Sequence, residues 1–409
     1  MKRGIKFFRI MRKEDVMKKM NWMAILIYVL TMTFMVGLTH AADTIKLGAS
    51  YGMSGRIGWI GGDCVEGAKL IIDEVNAKGG IKGKKIELVE YDTKNEPDTA
   101  RTVIEKLIKK DEVVGILGPV TTTEVQTVTP VVEKNKIPFV VVSGGIEINE
   151  KILPEYKKEG KKSYMWALSV GTERQNEVKV LWLKKKGYKN LGNIEPLDQM
   201  GDLSQLTYKA WCKKYGLNVV AEERFDNKGT DFVTQMSKIK AANADSIGSM
   251  CSGAPAVTLV KNRDQVGMKN VPFMLSDANL SKRFIELLGE NTANVYTVAA
   301  KIEFVSYLKD SDPQKKVITD FQKKFKEKYN KEPKSWFFAA VGYDSALMFI
   351  KAIEAVGIDG EKMRDWLEKQ TKFEGAQAFY SWSNLDHRGI GVDQCSVMGI
   401  QGDKWVPVD

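Results

Sequence analysis

At 409 residues the chain exceeds one ordinary domain and suits two lobes of typical size. Its formal net charge is +10, but the lysine clusters at 157–162 and 184–186 lack interleaved aromatics; they read as solvated loop and helix ends, which argues against a nucleic-acid surface. Two histidines and four scattered cysteines without a CxxC pair argue against a zinc centre or thioredoxin chemistry, so no metal and no cofactor is expected.

Residues 1–42 read as a signal peptide. Met17-Lys18-Lys19 opens a short basic region, the stretch from Asn21 to Thr39 carries no charge, and Thr39-His40-Ala41 offers small residues where a signal peptidase reads. Cleavage is expected after Ala41 or Ala42, and Met17 or Met20 serves equally well as the start. An uncleaved membrane anchor is the weaker reading, because the apolar run sits at the short limit for spanning a bilayer. No cysteine stands at the leader's end to carry a lipid. Export to the periplasm is therefore expected. Without the leader 367 residues remain, and loss of its eight Lys/Arg and two Asp/Glu lowers the net charge to about +4.

From residue 44 onward apolar strand-like runs alternate with helical patterns. Strands are expected at 44–50, 86–91, 113–117 and 138–142, with helices at 63–78, 97–110 and 124–135. Gly79-Gly80 stops the first helix, and Pro130 should kink the third or delay its start. The continuously apolar run 113–117 suits a parallel strand covered on both faces. After a basic loop the pattern restarts at 164–170. Helices at 173–186, 201–215, 231–242 and 254–266 then alternate with strands at 191–195, 219–224, 245–250 and 272–275. Helices at 313–329, 335–356 and 361–369 return to pack on the first lobe. Two successive βαβ series imply an α/β fold of two doubly wound parallel-sheet lobes.

Open α/β sheets bind ligands at the carboxyl ends of their strands. After the third strand, Gly118-Pro119-Val120-Thr121-Thr122-Thr123 runs straight into a helix, where free N–H groups beside hydroxyls make a site for a carboxylate. Ordinary capping would explain one threonine there, but not three. After the first strand, Met53 to Gly61 is glycine-rich with one large aromatic, Trp59, yet lacks the spacing of a dinucleotide binder. Ser143-Gly144-Gly145-Ile146-Glu147 follows the fourth strand. The second lobe offers Cys251-Ser252-Gly253 and Ser276-Asp277-Ala278. An acid facing an anion-binding helix terminus suits a zwitterion, although Asp277 could equally cap its helix.

His40 leaves with the leader, so a catalytic triad would have to rest on His387, in the polar turn Asn384-Leu385-Asp386-His387-Arg388-Gly389. Cys64, Cys212, Cys251 and Cys395 leave one disulfide, two or none open.

The chain resembles the periplasmic Leu/Ile/Val-binding family, the type I solute-binding proteins of ABC importers. The resemblance rests on Met53-Ser54-Gly55, Glu66-Gly67-Ala68, Tyr91-Asp92, Gly118-Pro119, Ile137-Pro138, Phe273-Met274 and the run Val75-Asn76-Ala77-Lys78-Gly79-Gly80-Ile81-Lys82-Gly83. It implies two lobes joined by three crossover segments, with lobe 1 at 43–166 and 298–378 and lobe 2 at 167–297 and 379–409. It also implies a ligand trapped by hinge closure, a non-enzymatic role, a monomer, and an inner-membrane permease and ATPase as partners.

Carried over residue by residue, the carboxylate-holding hydroxyl falls at Thr122, with Val120 and Thr121 beside it. The acid that meets the ligand ammonium falls at Asp277, where the family more often has Glu, and Glu147 is expected to help it. Trp59 and Phe337 or Phe338 would pack the ligand side chain, and Ser143, Gly145 and Cys251 complete the expected walls. Two positions depart from the family pattern: Ile146-Glu147 stands where a threonine is common, and Met200 where a tyrosine often faces the ligand. A branched-chain or other apolar amino acid is the default ligand. A non-amino-acid carboxylate, amide or urea is the alternative, followed by a hydrolase or a sensor module.

Overall fold

A computed structural model describes residues 44–55 and 57–408, and the expected signal peptide lies outside the described residues. Lobe 1 is built on β1 (Ile45–Tyr51), β2 (Ile86–Asp92), β3 (Gly115–Leu117), β4 (Phe139–Val141) and β5 (Met165–Ala167), all parallel in the order β2-β1-β3-β4-β5. Helices α1 (Gly58–Ala77), α2 (Pro97–Lys109) and α3 (Thr122–Lys134) connect the first four strands, and α4 (Leu153–Lys158) precedes the fifth. Every residue of β3 and β4 is buried, as a parallel strand covered on both faces requires.

Lobe 2 repeats the plan. Strands β6 (Asn190–Pro196), β7 (Asn218–Phe225), β8 (Ser246–Gly248), β9 (Phe273–Met274) and β10 (Val295–Ala300) run parallel in the order β7-β6-β8-β9-β10. Helices α5 (Thr172–Lys185), α6 (Gln199–Tyr215), α7 (Val233–Ala241), α8 (Ala254–Gln265) and α9 (Lys282–Leu288) alternate with them. The order in which strands are added reverses beside the first strand of each sheet, between β1 and β3 and between β6 and β8. Such a switch point is where a doubly wound sheet opens a crevice.

The chain then returns to lobe 1 through α10 (Pro313–Tyr329), α11 (Trp336–Val356), α12 (Gly360–Leu367) and the short antiparallel pair β11 (Phe373–Glu374) and β12 (Phe379–Tyr380). Helix α11 is long and apolar enough to cross a membrane, yet it is the core helix of lobe 1. Its backbone meets α1 at two glycines. A Cβ on Gly67 would lie 1.8 Å from the Ala339 carbonyl oxygen, and one on Gly342 would lie 1.9 Å from that of Cys64. Only glycine at both positions permits this approach.

Several expected boundaries move. Helix α1 starts at Gly58, so Trp59 sits in its first turn, and α3 runs through Pro130. Residues 379–390, expected in lobe 2, remain with lobe 1, because Tyr380, Trp382 and Ile390 are buried in its core. Likewise β10 belongs to the second sheet as far as Ala300. The last segment, not foreseen as strand, forms β13 (Cys395–Gln401) and β14 (Lys404–Pro407), which extend the second sheet antiparallel from β10. The three crossings thus lie after β5, after β10 and before β13.

Candidate ligand-binding cleft

The carboxyl ends of both sheets face a cavity of about 360 Å³ between the lobes. On the lobe 1 side, β3 is followed by Gly118, which adopts φ +95°; a Cβ there would lie 2.3 Å from the Ser50 carbonyl oxygen. The chain can therefore turn tightly against β1 and start α3 at the cavity wall. Thr121 caps that helix: its hydroxyl accepts the Glu124 N–H at 3.3 Å, and the Glu124 carboxylate accepts the Thr121 N–H at 3.2 Å. This reciprocal pair is a capping box. Capping is thus assigned to Thr121, which leaves the Thr122 hydroxyl to meet Ser143 Oγ at 2.7 Å inside the cavity. The first N–H groups of any helix lack intrahelical partners and carry its positive dipole end, so this corner attracts a carboxylate.

Lobe 2 supplies an acid. Asp277 follows β9; Ser276 Oγ donates to its Oδ1 at 3.1 Å, and its N–H donates to Gln175 Oε1 at 3.1 Å. Gln175 in turn donates to the Val170 carbonyl at 3.1 Å, which ties this wall to the first crossover. Burial raises the Asp277 carboxyl above its ordinary range, against the lowering contributions of Ser276, Gln175 and Lys179. Behind the wall, Lys179 Nζ donates to the Ser249 carbonyl at 3.1 Å and Glu195 accepts the Met250 N–H at 2.8 Å. Both side chains are fully buried; burial pulls Lys179 down to about 8 and pushes Glu195 up to about 7. Together they hold the backbone after β8 at the cavity edge. Val142, Val170, Met200, Met250, Phe337 and Phe338 supply its apolar surface.

Of the residues expected from sequence, Val120, Thr121, Thr122, Ser143, Gly145, Met200, Asp277 and Phe337 line this cavity. Three do not. Trp59 is outside the lining, edge-on to Phe338 with ring centroids 5.5 Å apart. Glu147 is outside the lining and caps the start of the π-helical turn Ile148–Ile152. Cys251 points into the lobe 2 core beside Ile194 and Phe225, and its neighbour Ser252 lines the cavity instead. Ser169, Thr172 and Gln175, from the crossover after β5 and the first turn of α5, also line the cavity and were not foreseen.

His387, in its polar turn, is enclosed by the fold. It is fully buried and stacked on Trp166 at 4.6 Å, with Nδ1 2.7 Å from the Met165 carbonyl and Nε2 3.0 Å from Glu368 Oε1. Both ring nitrogens are engaged inside lobe 1. The pentapeptide Gly48-Ala49-Ser50-Tyr51-Gly52 spells the G-x-S-x-G pattern of hydrolases, but Ser50 is fully buried within β1 and not perched on a strand-to-helix turn. The four cysteines are all free thiols.

The chain matches the periplasmic binding protein family over residues 44–403. It belongs to that family. Among curated relatives, Leu/Ile/Val-binding protein homolog 7 of Brucella abortus is 21% identical over 368 residues, 89% of this chain and 90% of the relative. The leucine-, isoleucine-, valine-, threonine-, and alanine-binding protein of Pseudomonas aeruginosa is 23% identical over 332 residues, 81% of this chain and 84% of that one. Among solved structures, a periplasmic binding protein type 1 from Bordetella pertussis superposes with a TM-score of 0.71 at 24% identity, covering 90% of this chain and all of that one. The fold is that of the type I periplasmic binding proteins, and several of the curated relatives are Leu/Ile/Val-binding proteins by name.

Proposed function

We propose that this protein is an exported, non-enzymatic binding protein that captures an apolar amino acid between its lobes and delivers it to an ABC importer of the inner membrane. The observation that carries the reading is the opposition, across one cavity, of the α3 terminus with Thr122 and the acid Asp277. Thr122 and the N–H groups of the next turn hold the ligand carboxylate. Asp277 accepts the ammonium, and Phe337, Phe338 and Met250 cover the side chain. The name of the Pseudomonas relative, which includes leucine, isoleucine and valine, supports this ligand class. The mature protein works in the periplasm with a permease and an ATPase as partners.

A second reading keeps the carboxylate corner and dispenses with the amine. It is favoured by the Asp277 carboxyl, which burial raises and which already accepts from Ser276 Oγ. A neutral acid there would hydrogen-bond an amide or a carboxylic ligand. A thermal-shift panel of amino acids, aliphatic and aromatic carboxylates and short amides on ligand-stripped protein separates the two. A ligand at 100 times its Kd stabilises by about 2.7 kcal/mol, which is readily detected.

A further inference from the structure

Two methionines line the cleft from lobe 2, and the fold holds them very differently. Met200, at the start of α6, is 38% exposed, whereas Met250, just after β8, is 3% exposed. A thioether on three rotatable bonds adapts to whatever it touches, so a free methionine sets no firm limit on a ligand's size. Met250 is not free. Lys179, fully buried on α5, donates from Nζ to the Met250 Sδ at 3.0 Å and to the Ser249 carbonyl at 3.1 Å.

We propose that Lys179 is a positioning residue that fixes the Met250 thioether and thereby sets the size of the side chain the cleft accepts. The inference rests on the proposed function, in which Met250 covers the ligand side chain. A buried ammonium is a costly way to fill a core, and an apolar residue at 179 would pack without that cost. What the ammonium adds is direction, because its N–H groups must be satisfied and two of the three point at the residue pair 249–250.

The backbone around Met250 is already pinned on both flanks. Glu195 Oε2, on β6, accepts the Met250 N–H at 2.8 Å, while its Oε1 accepts the Ser204 hydroxyl at 2.6 Å and the Asn193 amide at 2.9 Å. Asn193 also donates to the Gly248 carbonyl at 3.1 Å. Beyond Met250, Asn279 donates to the Cys251 carbonyl at 2.9 Å and accepts the Gly253 N–H at 3.0 Å. The freedom that remains lies in the Met250 side chain, and the bond from Lys179 removes it. Two acids face the ammonium, Glu195 from β6 and Asp277 after β9, and both favour its charge. Burial outweighs them and pulls Lys179 down to about 8, so the charge of this N–H···S contact is lost as pH rises through that value.

The test is a double-mutant cycle of Lys179→Met, which removes the donor, and Met250→Leu, which removes the sulfur and which cores tolerate. Calorimetric titration with leucine and with phenylalanine reads the selectivity. Lys179→Met should lower the preference for leucine about tenfold, the scale of a size limit in an apolar pocket, and should leave it unchanged when Met250→Leu is already present. A residue that merely supports the fold would shift both backgrounds alike. In ligand-free protein with isotopically labelled methionine methyls, the Met250 resonance, assigned by its loss in Met250→Leu, should titrate with a midpoint near 8. This reading needs no ligand and stands even if Lys179→Met fails to fold. If the parent binds carboxylates and no amino acid, the ligand class falls, and the same cycle with isocaproate and phenylpropionate reads the positioning. No size preference in the parent, equal shifts in both backgrounds, or a Met250 methyl that does not titrate would overturn the proposal.

Discussion

Thr122 Oγ1 lies 2.7 Å from Ser143 Oγ, which joins the ends of β3 and β4 inside the cleft. Neither hydroxyl caps a helix, because Thr121 and Glu124 already complete that task for α3. The pair is thus poised to donate into the cavity beside the helix terminus. Gly145 packs against it: a Cβ there would lie 3.1 Å from Thr122 Oγ1.

Thr122→Val should weaken ligand binding by about 1–3 kcal/mol, since it removes a donor from a charged partner while keeping the side-chain shape. Thr122→Ser should retain most of the affinity. Calorimetric titration of both variants provides the check, and equal losses in the two would contradict a role for the hydroxyl.

Asp277→Asn should lower the affinity for an amino acid by about 2–5 kcal/mol, the effect of removing one partner from a buried charge pair. Its thermal midpoint without ligand should stay near that of the parent, because Asn still accepts from Ser276. Unchanged affinity would remove the ammonium site from the account.

Gly342→Ala should destabilise the protein by about 1–3 kcal/mol or more, because its Cβ would meet the Cys64 backbone at 1.9 Å and push α11 off α1. Chemical denaturation measures this directly. A variant as stable as the parent would mean that the two helices do not pack at the described distance.

Asp344 carries a pH prediction. It is fully buried in α11 and accepts the N–H groups of Ala376 at 2.6 Å and Gln377 at 2.8 Å and the Tyr380 hydroxyl at 2.8 Å. Burial outweighs these bonds and pushes its carboxyl from 3.8 to about 7. A raised acid pKa gives stability that is present below the ordinary value and is lost as pH rises through about 7. Asp344→Asn should lower stability overall yet flatten its decline across that window. An undiminished slope in denaturation at several pH values would contradict this.

Much of the architecture was legible because strand–helix alternation is written into the apolar periodicity, and the strand-end rule then pointed to Thr122, Ser143 and Asp277. The failures have physical causes. At Cys251 and Ser252 a single residue step past β8 exchanges the core for the cavity, and sequence does not fix that step. Gln175 enters the cleft only because the crossover turns α5 toward it. The polar turn around His387 gave no sign of its burial, because Asn149, Asp386 and Arg388 use those polar groups to fasten the crossover, which buries the imidazole. The β13–β14 pair was missed because the two strands lack a following helix to mark them.

The most direct test of the central claim is a calorimetric titration of ligand-stripped protein with leucine and with isocaproate, which has the same carbon skeleton without the amine. The account predicts that leucine binds and that isocaproate binds about 100-fold more weakly or not at all, the difference residing in Asp277. Equal affinity for the two, or binding of isocaproate alone, would contradict the amino-acid site while leaving the two-lobe fold intact.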